Sequence, residues 1–263
     1  MVEFPFVWTN GEVHERSIER ASSGGDELGV IETFLWQRDS FRCAGLHQQR
    51  LERGLTLVKR QAPLAVSMQA VARALCAANR VTEAVVRIEV TAQDIRGSLR
   101  ERPPAGSMAV FLGATALPEE TYPTGSKTTR RDTYEQALAL ARGAGMDEAL
   151  LLDGTGGVAE GSFSNVFAVL EEGLVTPDLG GGGVAGICRE WLLGGPDPIL
   201  RASHLAPASL FQASEVILTN ALRGPLGVRR LGSQERLRDD LPGARGPVCR
   251  AWARRWQALL PET

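Results

Sequence analysis

DEALLLDGTGGVAEGSFSNVFAV, residues 147–169, alternates short apolar runs with glycine-rich reversals. DEALLLD, VAEGS and NVFAV each have the length of a strand, and GTGG supplies residues that tolerate a tight turn. The stretch predicts antiparallel hairpins, and LVTP, beyond the EEG reversal at 171–173, continues the pattern. A carboxylate, Glu160, closes the second run.

Upstream, MAVFLGATAL reads as a strand. Asp132 begins a helix with Glu135 three residues on, a capping-box arrangement, and Gly143 and Gly145 close it. Nearer the start, Asn10-Gly11 between Val7–Thr9 and Glu12–His14 predicts a type I′ hairpin, because both turn residues accept positive φ. GVIETFLWQ reads as another strand. LHQQRLERGLTLV puts Leu46, Arg50, Leu51, Leu55 and Val58 at helical spacing, SMQAVARALCAANR is a second helix, and VTEAVVRIEVTAQ is β-branched strand. The fold class is therefore α+β. RERPPAGS breaks both periodicities, so the reading gives an N-terminal α+β domain at 1–100, a linker at 101–106 and a second domain at 107–263.

In LGGGGVAGICREWLL, Gly181, Gly183 and Gly186 fit G-x-G-x-x-G. A dinucleotide site also needs a parallel strand ending in an acidic residue about 20 positions on, and GGPDPILRASHL does not read that way. What survives is a glycine-lined backbone opening a helix, whose N–H groups at Gly186, Ile187 and Cys188 suit an anion such as phosphate. A plain turn starting a helix is the alternative.

With 263 residues, 43% apolar and 23% charged, the chain can bury a full core. Its formal net charge of −2 gives no electrostatic case for nucleic acid or anionic membrane. The start lacks a basic segment followed by an apolar one, and no apolar run is long enough to span a bilayer, so a cytoplasmic protein is expected. Cys43, Cys76, Cys188 and Cys249 form no CxxC pair and, with His14, His47 and His204, make no zinc pattern; reduced thiols are expected.

Of 29 basic residues, only Lys59 and Lys127 are lysine. Arginine keeps its proton, whereas a lysine amine can lose it and act as a nucleophile. Lys127 lies just before the helix of Asp132, with Tyr122 and Tyr134 on either side; Tyr134, inside the helix, is read as packing.

Four separated stretches, SKTTRRDTYEQAL, DEALLLDGTGGVAEGSFSNVFAV, GLVTPDLGGGGVAGICREWLL and EVILTNALRG, together resemble the fold-type IV pyridoxal-phosphate (PLP) enzymes, the class IV aminotransferase family. GVIETF and LHQQRL resemble that family's strand and H-x-x-R-L helix. The resemblance runs from Gly29 to Arg223. It implies a two-domain fold like that of D-amino-acid aminotransferase, an N-terminal α/β sandwich followed by a β-barrel-like antiparallel domain with helices, in a homodimer. It implies that Lys127 links to the cofactor aldehyde, Glu160 faces the pyridine nitrogen, and Arg50 holds the phosphate with the backbone at Gly186, Ile187 and Cys188 and the Asn220-Ala221 turn. Lysine suits the first role because its amine can shed a proton; a carboxylate suits the second because it keeps the ring nitrogen protonated.

Within the family, K-T-T-x-R-x-x-Y at Lys127–Tyr134 is most similar to aminodeoxychorismate lyases. Branched-chain transaminases tend to carry a tyrosine where this chain has Asp132. The resemblance thus implies pyruvate release from 4-amino-4-deoxychorismate to give 4-aminobenzoate, a step towards folate. The alternatives are a branched-chain or D-amino-acid aminotransferase and an inactive binding homologue. ERASSGGDELGVIETF departs from the family's usual substrate-side approach, and Cys188 stands where many relatives carry Thr. Arg87 and Arg223 are candidates for gripping the substrate carboxylate.

Overall fold

The computed structural model describes residues 4–15, 28–58, 67–104, 106–117, 125–180, 182–197 and 199–259. Lys59, Tyr122 and Gly181 lie outside them, as does most of the ERASSGGDELG segment. The chain divides into two compact units, Met1–Pro103 with Ser126–Arg130 and Leu260–Thr263, and Pro104–Gly125 with Arg131–Leu259. The linker at 101–106 spans the first crossing point. Ser126–Arg130, which the sequence reading put in the second domain, groups with the first unit, where its backbone bonds to a strand.

The first unit is built on β1 (Phe6–Thr9), β2 (Glu12–Glu15), β3 (Val30–Trp36), β4 (Ala84–Val90) and β5 (Ile95–Arg100), paired antiparallel in the order β2-β1-β5-β4-β3. Asn10 (φ 49°) and Gly11 (φ 111°) make the predicted positive-φ turn between β1 and β2. Every residue of β3 is buried. Helix α1 (Ala44–Leu55) buries His47, Arg50, Leu51 and Gly54, one face at helical spacing, and packs on β3. Gly54 permits this approach, since a Cβ there would sit 2.8 Å from a Val30 methyl. Helix α2 (Met68–Ala78) is capped by Ser67, whose side chain accepts from the Ala70 N–H at 3.2 Å, a device contributing about 1 kcal/mol. Its Val71 and Leu75 join Phe34, Leu51, Val86 and Ile88 in one core.

The second unit holds β6 (Met108–Ala116), α3 (Asp132–Gly143), β7 (Glu148–Leu152), β8 (Val158–Gly161), β9 (Asn165–Leu170), β10 (Gly173–Thr176), α4 (Ile187–Leu193), β11 (Leu200–Ala202), α5 (Pro207–Leu210), β12 (Glu215–Asn220), β13 (Gly224–Gly232), β14 (Leu237–Arg238) and α6 (Pro247–Gln257). The strands run β11-β10-β9-β12-β13-β6-β7-β8, with β14 beside β13. β8, at the end of that order, leads straight back to β9 through a turn closed by Gly161 N–H donating to Ser164 O at 2.7 Å. The sheet therefore curls in the barrel-like manner expected. It is mixed rather than antiparallel, however: β6 pairs parallel with both β7 and β13, and β10 with β11. Connections carrying α3 and α4 let the chain return in the same direction. The parallel strand that the sequence reading denied after the glycine run thus exists as β11, with no acidic residue at its end.

Helix α3 departs from expectation at its start. Arg131 is the N-cap, without a side-chain cap, so Asp132 and Glu135 sit in the first turn and make no capping box. Its end is as predicted: Gly145 (φ 71°) donates to Arg142 O at 3.0 Å and Met146 N–H to Ala141 O at 2.9 Å, a Schellman closure.

Candidate active site

Lys127 lies along the edge of β3. Its carbonyl accepts from Ile31 N–H at 2.8 Å, Val30 and Thr128 form an antiparallel bridge, and Thr129 N–H donates to Gly29 O at 2.9 Å. Backbone pairing thus holds the lysine in place although its loop carries no helix or strand of its own. The half-buried ammonium donates to Thr33 Oγ1 at 3.2 Å. Thr33 was not anticipated from sequence.

On the same unit, Arg50 Nε donates to Glu32 Oε1 at 2.8 Å and its terminal nitrogen to Glu32 Oε2 at 2.7 Å, while His47 Nδ1 lies 2.6 Å from Glu32 Oε2. All three side chains are buried. Burial alone would raise the Glu32 carboxyl, yet Arg50 and the His47 hydrogen bond outweigh it and hold the group down at about 2. Burial pushes His47 down, with Arg50 and Lys127 adding to that against the pull of Glu32. Arg50, assigned to a phosphate by resemblance, thus spends two donors on an internal carboxylate. The signal was available: Glu32 is the lone charged residue in the mostly apolar β3, and H-x-x-R on α1 brings two partners to one helix face.

Glu160 is the penultimate residue of β8 within the second unit and is buried. Its Oε1 accepts from the Tyr134 hydroxyl at 2.5 Å; its Oε2 accepts from Asn165 Nδ2 at 3.1 Å and from Val184 N–H at 3.0 Å. Burial raises the carboxyl, while Tyr134, the Val184 N–H and the charges of Arg131 and Arg189 pull it back. Tyr134 is therefore more than packing. Asn165 also donates to Val184 O at 2.9 Å, which pins the glycine-rich loop beside the carboxylate. Gly183 (φ 105°) leaves the space over it open, since a Cβ would stand 3.4 Å from the Glu160 carboxyl carbon.

That loop runs into α4, with Gly186 as its N-cap and Ile187 and Cys188 buried in the first turn. Asn165 pairs in register with Thr219, and Gly186 packs against Asn165, so the α4 start, Asn165 and Thr219 converge. The Thr219 hydroxyl is buried and has no hydrogen-bond partner among the described residues. Asn220 Oδ1 accepts from Leu222 and Arg223 N–H at 3.1 and 3.0 Å, shaping the turn that carries Ala221. Glu160, Gly186, Ile187, Cys188, Asn220 and Ala221 all belong to this unit, whereas Lys127 and Arg50 belong to the other.

The two arginine candidates differ. Arg87 is paired with Glu89 at 3.0 Å on a strand. Arg223 lies over the Phe163 ring at 5.2 Å, and its buried Nε has no partner among the described residues. Near it, burial pushes Glu148 up to about 8 against hydrogen bonds from Phe163 N–H and Ser162.

A probable branched-chain-amino-acid aminotransferase of Thermotoga maritima is 35% identical over 137 residues, 48% of this chain and 46% of that protein. The chain thus matches less than half the length of that curated relative. Among solved structures, the branched-chain amino acid aminotransferase of Escherichia coli superposes with a TM-score of 0.80 at 20% identity, over 98% of this chain and 95% of the other. The PLP form of the Thermobaculum terrenum enzyme does so with a TM-score of 0.79 at 17% identity, over 98% and 94%. These likenesses fix the fold, which is that of the fold-type IV enzymes. Residues 29–231 match the family described as amino-transferase class IV, and the chain belongs to that family.

Proposed function

We propose that this chain is a PLP-dependent aminotransferase acting on amino acids of the branched-chain type. Its similarity to proteins named as such favours this over the lyase reading. The observation that carries it is Glu160, a buried carboxylate contacted by three hydrogen-bond donors. An ionised carboxylate accepts and never donates, so this setting suits an anion facing a protonated ring nitrogen.

The residues fit the cofactor. The Thr219 hydroxyl, without a partner among the described residues, and the start of α4 at Gly186, Ile187 and Cys188 offer donors to a phosphate, and the Asn220-Ala221 turn adds a backbone edge. The absent Thr hydroxyl at Cys188 is offset by the one at Thr219. Arg50, in the first unit, keeps its fork anchored on Glu32. When bound, PLP supplies an electron sink that acidifies the Cα–H of an attached amino acid. Lys127 would hold the cofactor through its amine and would serve as the base for the substrate Cα proton, with Thr33 orienting that amine. Arg223, whose Nε has no partner among the described residues, grips the substrate carboxylate in this account.

One observation favours the second reading, aminodeoxychorismate lyase. Asp132 sits at the exposed first turn of α3, and the tyrosine at 134 is the one that reaches Glu160. A mass-spectrometric assay with PLP-loaded protein decides. Leucine, valine or isoleucine with 2-oxoglutarate yields glutamate and the matching 2-oxo acid under the proposal, whereas release of pyruvate and 4-aminobenzoate from aminodeoxychorismate, with no glutamate formed from those amino acids, supports the lyase.

A further inference from the structure

In K-T-T-x-R-x-x-Y, Arg131 has no part in the chemistry above, and Tyr134 enters it only as a donor to Glu160. They stand three apart at the start of α3, so they share a helix face. The Arg131 guanidinium lies 3.7 Å over the Tyr134 ring centroid and also donates to the Ser162 carbonyl, two residues beyond Glu160. Tyr134 is buried, and its hydroxyl meets Glu160 Oε1 at 2.5 Å, the range of a charge-assisted O–H···O⁻ bond.

We propose that Tyr134, seated under Arg131, is a positioning residue that aims the Glu160 carboxylate and keeps it anionic; this rests on the reading of Glu160 as partner of the cofactor's ring nitrogen. The geometry divides the labour. Asn165 and Val184 N–H serve Oε2, and Tyr134 serves Oε1. A cation on the ring face makes the phenol a better donor. Arg131 and Arg189, both positive, bear on Glu160. Without the hydroxyl, Oε1 would be a buried lone pair in a site where burial already raises the carboxyl, and a proton would fill it.

Tyr134→Phe tests this, because it removes one oxygen and keeps the ring. The first readout needs no cofactor: glutamate carboxyls carrying carbon-13 are titrated by NMR in the apoprotein, with Glu160 identified by the signal missing from Glu160→Gln. The Glu160 midpoint should rise by about one pH unit or more in Tyr134→Phe. In PLP-loaded protein the visible spectrum should titrate at correspondingly higher pH, and kcat should fall about tenfold with KM for the amino donor little changed. Should Tyr134→Phe fail to fold by circular dichroism, Arg131→Lys, which keeps the charge but loses the planar stack, should move the same midpoint upward by less. An unmoved midpoint in the folded variant overturns the inference alone. A wild-type protein that takes up no PLP contradicts the proposed function and this inference together.

Discussion

Gly186 packs so closely on Asn165 that a single Cβ would overlap the Asn165 side-chain oxygen. Its φ of −67° suits any residue, so the need for glycine here is steric. Gly186→Ala should push the Asn165 amide off Glu160 and off Val184 O. We expect a loss of roughly 1–3 kcal/mol in stability from overpacking. PLP affinity, followed by fluorescence titration, should weaken by about tenfold or more. Parental affinity in the folded variant would contradict the packing role assigned to this glycine.

Glu160→Gln replaces the anion by a neutral group of the same shape that brings a donor where only acceptors are wanted. We expect kcat to fall by about 100-fold as the electrostatic partner is lost, with Lys127 still attached to PLP after borohydride reduction. Steady-state kinetics and peptide mass spectrometry check the two halves. A variant with parental kcat would remove Glu160 from the chemistry.

The Glu32–His47–Arg50 cluster predicts a stability effect in the first unit. Glu32 is held down at about 2 from an unfolded value of 4.5, so its contribution is full above pH 4.5 and disappears as pH falls through about 2. Glu32→Gln leaves Arg50 buried without its counter-charge and should cost about 3–5 kcal/mol at pH 7. Urea unfolding of both proteins between pH 7 and 3 should show the gap narrowing towards the acid end.

Glu148 predicts the opposite sign. Its carboxyl is raised to about 8 by burial, so the folded protein keeps a proton that the unfolded chain releases from pH 4.5 upward, and stability falls as pH rises across that window. Its Oε2 has no partner among the described residues. Glu148→Gln should therefore stabilise the protein by roughly 2–3 kcal/mol near pH 7 and by almost nothing at pH 4. Thermal melts at the two pH values measure it.

Most strands and helices were legible because their periodicity is undisturbed; β3 and α1 are examples, one buried throughout and apolar but for Glu32 and Thr33, the other striped. IRGSLR was missed as β5. Gly97 interrupts the β-branched pattern there, and its reason is tertiary: a Cβ would stand 2.8 Å from Val71 on α2. The parallel pairing of β10 with β11 was hidden likewise, since a three-residue strand has no period to read. At the site, the glycine loop and the carboxylate could be picked out as residues. Their partners could not, because the bonds of Glu160 to Tyr134, Asn165 and Val184 join positions brought together only by the fold. Arg50 shows the limit from the other side: the lone acid of β3 and the H-x-x-R helix face were readable, but the two-pronged geometry that joins them comes only with the fold.

The most direct measurement is borohydride reduction of the PLP-supplemented protein followed by peptide mapping. The account predicts loss of the visible absorbance and a phosphopyridoxyl adduct on Lys127, absent from Lys127→Ala. An adduct on Lys59 or the chain's α-amine instead, or no adduct in a protein that binds PLP tightly, would contradict it.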